Sequence, residues 1–183
     1  MNPENLKLFG AFLLVNSLVV ILYGFAHESI TYFSELSQTG VQMISTHFSH
    51  HSWRHYLGNM TGLFILLLLF PEKNKVLLLA FLLCIIFVSC YVYLIKIHSF
   101  LGTSALLYCV PGCQFVHDLK CNHKQAIMIL FTLCLYLYII SPMKTINLDD
   151  PWSPMTTAHI LGFIAGMVAS SYYRLIIKKD CKT

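Results

Sequence analysis

Of the 183 residues, 57% are hydrophobic and only 11% charged, far from the roughly 25% charged composition of a soluble domain. A chain of this length is used up by a few spans of about 20 residues and their connections, so a separate soluble domain is excluded. The net charge of +4 is scattered over segment ends with no basic stripe interleaved with aromatics, which argues against a nucleic-acid partner.

The first span is expected over residues 6–25, a run too long for the apolar part of a cleaved leader. Residues 26–49 are more polar and are expected to lie at the membrane surface, with Tyr32 and Phe33 as interfacial anchors. A second span is expected over 52–70, unusually polar in its first half and stopped by Pro71, Glu72 and Lys73. The third, over 76–95, is almost wholly apolar. The fourth, over 101–116, is short, and Pro111 and Gly112 should bend or end it. The fifth covers 126–140 and closes at Ser141 and Pro142. A loop over 143–155 carries Asp149, Asp150, Pro151 and Trp152, and the sixth span covers 156–177. The chain thus reads as one all-α integral membrane domain of six spans.

Charge bias orients it. With the amino terminus cytoplasmic, Lys7, Lys73, Lys75, Lys120, Lys124, Arg174, Lys178, Lys179 and Lys182 lie inside. Only Arg54, Lys96 and Lys144 lie outside, which is the positive-inside pattern. Both termini are then cytoplasmic. The seven cysteines fall mostly within apolar runs without close paired doublets, so they read as small buried hydrophobes.

Polar residues inside spans are costly and point to function. Three clusters stand out: His50 with His55 and Asn59, Gly102 to Ser104, and His159 with Gly162 and Gly166. All fall at the outer ends of their spans, at one depth. A serine hydroxyl needs a neighbouring base to become a nucleophile, and His159 shares the depth of Ser104. Glycines at 162 and 166 give their helix a flat face on which another helix can approach closely. Tyr108 lies one turn beyond Ser104 on the same face.

Residues 48–60, Phe-Ser-His-His-Ser-Trp-Arg-His-Tyr-Leu-Gly-Asn-Met, resemble the second-helix signature of rhomboid proteases: a histidine, four residues, a second histidine, three residues, then asparagine. Gly102-Thr103-Ser104 resembles the family's Gly-x-Ser motif, and residues 158–166 resemble its Ala-His-x-x-Gly-x-x-x-Gly pattern. The resemblance covers roughly 41–170. It implies a six-helix rhomboid fold and an intramembrane serine endopeptidase with Ser104 as nucleophile and His159 as base, a dyad without a carboxylate. It further implies an oxyanion hole of His55, Asn59 and the Ser104 N–H, with a structural, water-binding His50. Tyr108 would hold the imidazole, and the loop over 143–155 would cap the site. Substrates would be transmembrane or membrane-anchored proteins entering between the second and fifth spans and cut at the outer face, with no cofactor. A bacterial inner membrane, with the active site toward the periplasm, is the implied location.

The chain departs from the family pattern at three positions. Ala105 stands where glycine is usual, and Val41 and Gln42 align with a common Trp-Arg pair. The compact form and the Thr46-His47-Phe48 run also resemble rhombosortases, which trim carboxy-terminal anchors of exported proteins. His47, His50, His51 and His55 could in principle hold zinc or copper, but no acidic or cysteine ligand accompanies them and the rhomboid pattern accounts for His50 and His55. A non-proteolytic client-binding relative would normally have lost the serine or the histidine. A transporter would need polar residues along a whole path, whereas polarity here collects at one face.

Overall fold

A computed structural model describes residues 3–24, 32–33, 40–70, 72–95, 99–100, 102–143 and 156–176, with side chains at 3–24, 42–70, 72–95, 100, 102–135 and 156–176. The expected anchors Tyr32 and Phe33, and the expected cap apart from the Met143 backbone, lie outside the described side chains, as do Val41, Lys96 and Lys144.

Helix α1 (Pro3–Tyr23) opens on a proline with Glu4 in its first turn, both favoured at a helix start. It turns Phe12, Asn16 and Val20 inward at four-residue spacing. Its other faces expose Leu14, Ile21 and Leu22. After strand β1 (Tyr32–Phe33) come α2 (Gly40–Ser45) and a 3-10 turn over Thr46–Phe48. Helix α3 (Trp53–Leu69) is capped by Ser52, whose Oγ accepts the His55 N–H at 3.2 Å. Helix α4 (Asn74–Ile95) is the central one, burying Val76, Leu77, Ala80, Phe81, Cys84, Val88 and Val92. Strand β2 (Ser99–Phe100) pairs antiparallel with β1, Tyr32 opposite Phe100. Helices α5 (Ser104–Leu107), α6 (Cys109–Cys121), α7 (His123–Met143) and α8 (Thr156–Ile176) complete the order.

Asn5, Asn16, His47, His50 and Thr103 are fully buried while leucines, isoleucines and phenylalanines cover much of the surface. The interior remains mainly apolar, and an apolar surface around a few buried polar side chains is what a lipid solvent selects. Among the described residues, two helices, Pro3–Tyr23 and Asn74–Ile95, are long and apolar enough to cross a membrane by length and composition.

Helix α8 packs chiefly on α4 and α6. Its glycines explain the closeness: a Cβ at Gly162 would stand 2.0 Å from the Ala105 carbonyl oxygen, and one at Gly166 would stand 2.2 Å from the Cys109 carbonyl oxygen. No side chain larger than hydrogen fits either contact.

Two boundaries differ from expectation. The interruption near Pro111 falls at Tyr108, between α5 and α6, because the proline ring removes the N–H that would bond to Leu107 and crowds that carbonyl. The helix then continues to Cys121 rather than stopping near 116, and α7 follows after Asn122 alone, whose Oδ1 accepts the Gln125 N–H at 3.4 Å. Hydropathy reports how much chain lies in hydrocarbon, whereas backbone hydrogen bonding extends the helix through polar residues beyond it.

Candidate active site

The starts of α3, α5 and α8 converge at one end of the bundle. Gly102, just before α5, holds φ at +116°, a conformation that favours glycine. A Cβ there would also meet His55 Cε1 at 2.8 Å, so the ring occupies the space a side chain would need. The Gly102 N–H donates to the Thr46 carbonyl at 2.9 Å, and Thr46 Oγ1 donates to the Phe100 carbonyl. These bonds set the turn that presents Ser104, which is partly exposed, as the first residue of α5.

His159 lies in the first turn of α8 and is 4% exposed. Its Nε2 is 2.9 Å from Ser104 Oγ. The Gly162–Ala105 contact, one helical turn along, brings the two helices close enough for that distance. Tyr108 stacks on the His159 imidazole at 4.6 Å between centroids and 19° between planes. Ala105 is fully buried; the close approach is made by its carbonyl and accommodated at Gly162, so its methyl does not obstruct the pairing. Asp118, a buried carboxylate on α6, is engaged away from the pair by Gln114 Nε2 at 2.9 Å and His117 Nδ1 at 3.2 Å.

His55 presents Nε2 and Cε1 to Gly102, and its Nδ1 is 3.0 Å from His51 Nδ1. With His51 donating, His55 carries its proton on Nε2, the edge facing the Gly102–Ser104 turn. His51 is thus placed to orient the His55 ring. Asn59, one turn further and 7% exposed, holds its Nδ2 with no acceptor among the described residues. Gly62 lies against Leu107, so α3 runs alongside α5 from His55 past Asn59. His55 is thus packed against the turn that carries Ser104, and Asn59 follows one turn along the same helix.

His50, expected to be structural, is fully buried, and its Nε2 lies 3.2 Å from Thr103 Oγ1. Burial, and next the neighbouring His55, push its pKa down to about 3. Thr103 Oγ1 donates to Asn16 Oδ1 at 2.9 Å, and Asn16 Nδ2 donates to the Phe12 carbonyl at 2.8 Å. Sequence reasoning missed Asn16 and Thr103, although an asparagine in an otherwise apolar run was the available signal. His47, also fully buried, places Nε2 3.3 Å from Ser89 Oγ, and its ring lies edge-on to Phe100. Burial lowers its pKa to about 3. Among the described residues no group of three or more His, Cys, Asp or Glu side chains is placed to hold a metal ion. Cys109 and Cys113 are buried and donate to the Ala80 and Gly166 carbonyls.

A cleft of about 780 Å³ lies between α3, α6 and α7, reaching from Tyr108 and Phe163, one turn from the serine–histidine pair, to Phe70, Asn122 and Lys124 at the opposite end of the bundle.

A family model described as a Rhomboid domain matches residues 37–175. Comparison with curated proteins and with solved structures gives no significant match.

Proposed function

The chain belongs to the rhomboid family of integral membrane, generally proteolytic proteins, and on that premise we propose that it is an active intramembrane serine endopeptidase. The observation that carries the reading is the 2.9 Å approach of His159 Nε2 to Ser104 Oγ beneath the stacked Tyr108 ring. His159 Nε2 accepts the Ser104 proton as Oγ attacks the scissile carbonyl. Negative charge then grows on the carbonyl oxygen, and His55 Nε2–H, Asn59 Nδ2–H and the Ser104 N–H stabilise it. The imidazolium formed meanwhile faces the Tyr108 π-system, which favours a cation and holds the ring in place. His159 returns the proton to the leaving amine, and water hydrolyses the acyl-enzyme.

Six helices cross the membrane in this reading, both termini facing the cytoplasm and Ser104 toward the outer side. The adjacent starts of α1 and α4, joined by Asn74 Nδ2 donating to the Glu4 carbonyl at 2.8 Å, suit that topology. Substrates are transmembrane or membrane-anchored proteins that enter between α3 and α7.

A fluorophosphonate probe applied to the detergent-solubilised protein tests the proposal. Labelling is expected for the unaltered chain and abolished by Ser104→Ala, and cleavage of a model transmembrane substrate is expected to vanish with His159→Ala. Labelling that survives Ser104→Ala would remove the nucleophile, and cleavage that survives His159→Ala would remove the dyad.

A further inference from the structure

Asn16 lies on α1, ahead of residue 37 where the family match begins, yet it reaches the residue beside the nucleophile. We propose that the chain of hydrogen bonds from Asn16 through Thr103 to His50 is a positioning device. Through it, α1 sets the turn that carries Ser104 and braces the ring of His55. The inference rests on the proteolytic reading of Ser104 and His159.

The bonds have one consistent direction. Asn16 Nδ2 is committed to the Phe12 carbonyl, so Oδ1 is the atom turned to Thr103 and must accept. The Thr103 hydroxyl gives its proton to Asn16 and then accepts from His50, so the relay assigns the neutral imidazole's proton to Nε2 against the competing pull of the Phe48 carbonyl. Asn16, Thr103 and His50 are each fully buried, so deleting any one strands a partner that water does not reach.

Thr103 occupies the cap position of α5, where a threonine hydroxyl ordinarily bonds to the helix it precedes. Here the backbone is in the helical region and the side chain makes no capping bond. The hydroxyl is spent on α1 and on the loop before α3, which is a tertiary use and not a local one. At the far end, the His50 ring packs edge-on against His55 at 5.3 Å and against Tyr56 at 5.3 Å. The next residue of α1 closes the frame, because Ser17 Oγ and Tyr56 Oη lie 2.6 Å apart. Adjacent residues of one helix thus hold both the nucleophile turn and the packing behind His55.

The test compares the full chain with Thr103→Val, Thr103→Ser and Asn16→Leu in detergent. Losing the hydroxyl in Thr103→Val is expected to slow fluorophosphonate labelling of Ser104 and to lower kcat on a transmembrane substrate about tenfold with KM unchanged. Asn16→Leu should act in the same direction. Thr103→Ser keeps the hydroxyl and should restore the rate to within about twofold. A Thr103→Val protein that melts earlier but reacts at the unaltered rate would reduce the relay to a stability feature and overturn the proposal. Nitrogen NMR of histidine-labelled protein reads the relay without reference to activity, and on the unaltered chain alone should a variant not fold. His50 is expected neutral with its proton on Nε2, and a proton on Nδ1 would refute the relay even in an active enzyme. Failure of the unaltered chain to label at all, with His50 in the expected tautomer, would count instead against the proteolytic reading.

Discussion

Replacing Gly162 by alanine puts a methyl carbon 2.0 Å from the Ala105 carbonyl oxygen, a contact made by backbone on both sides. Non-bonded heavy atoms settle near about 3.5 Å, so α8 and α5 must separate by roughly 1.5 Å along that line. His159 sits one turn from Gly162, and most of the displacement reaches its ring. The 2.9 Å distance to Ser104 Oγ would then lengthen to about 4 Å, beyond a hydrogen bond. A misplacement of about 1 Å at reacting groups costs on the order of 100-fold in rate, and overpacking a tight contact adds about 1–3 kcal/mol of destabilisation. Fluorophosphonate labelling kinetics read the first effect and thermal unfolding in detergent reads the second. Gly10→Ala provides the control: a Cβ there meets nothing within 4 Å, and alanine should leave the rate unchanged while stabilising α1 by up to about 1 kcal/mol. Gly162→Ala that labels at the unaltered rate would refute the claim that glycine at 162 sets the dyad distance.

Tyr108→Phe keeps a π-face over His159 and is expected to label at close to the unaltered rate, whereas Tyr108→Leu should lose roughly tenfold, as suits a partly desolvated cation–π contact of about 1–2 kcal/mol. Equal rates for the two variants would deny the ring its role. Acid should destabilise the fold. His47 and His50 titrate near 3 when folded and near 6.5 when unfolded, so the unfolded chain binds the extra protons between those values. Their contribution to stability is complete above about 6.5 and declines as pH falls, by up to about 1.4 kcal/mol per pH unit for each. Melting temperatures from pH 7 to pH 5 check this, and His50→Gln should flatten the slope; a midpoint independent of pH would contradict the burial of both rings as neutral species.

Much of this site was legible before any coordinates. Apolar runs announce helices because each helix must satisfy its own backbone in lipid, and Gly162 and Gly166 on the helix of His159 announce a close neighbour. The pairing of Ser104 with His159 is what the rhomboid motifs imply, and the shared depth of the two residues agrees with it. What the sequence conceals depends on distant packing. Thr103 and Asn16 are 87 positions apart, and nothing local tells a threonine before a helix to bond across the bundle instead of capping it. His50 reads as structural, but its partner Thr103 lies 53 positions away and cannot be named from the sequence. His51 had no assigned role because the His55 ring it orients takes its meaning from Gly102.

The order of these elements along the chain has a consequence for biosynthesis. Asn16, Thr46, His50, His55 and Gly102, which together hold the nucleophile turn, all precede Ser104, while the base arrives 55 positions after it on the last described helix. A nascent chain inserted through α7 therefore carries a shaped but unactivated serine. In the proteolytic reading, the base joins the serine only when α8 enters and seats its glycines on α5 and α6, so activity would await the insertion of that helix.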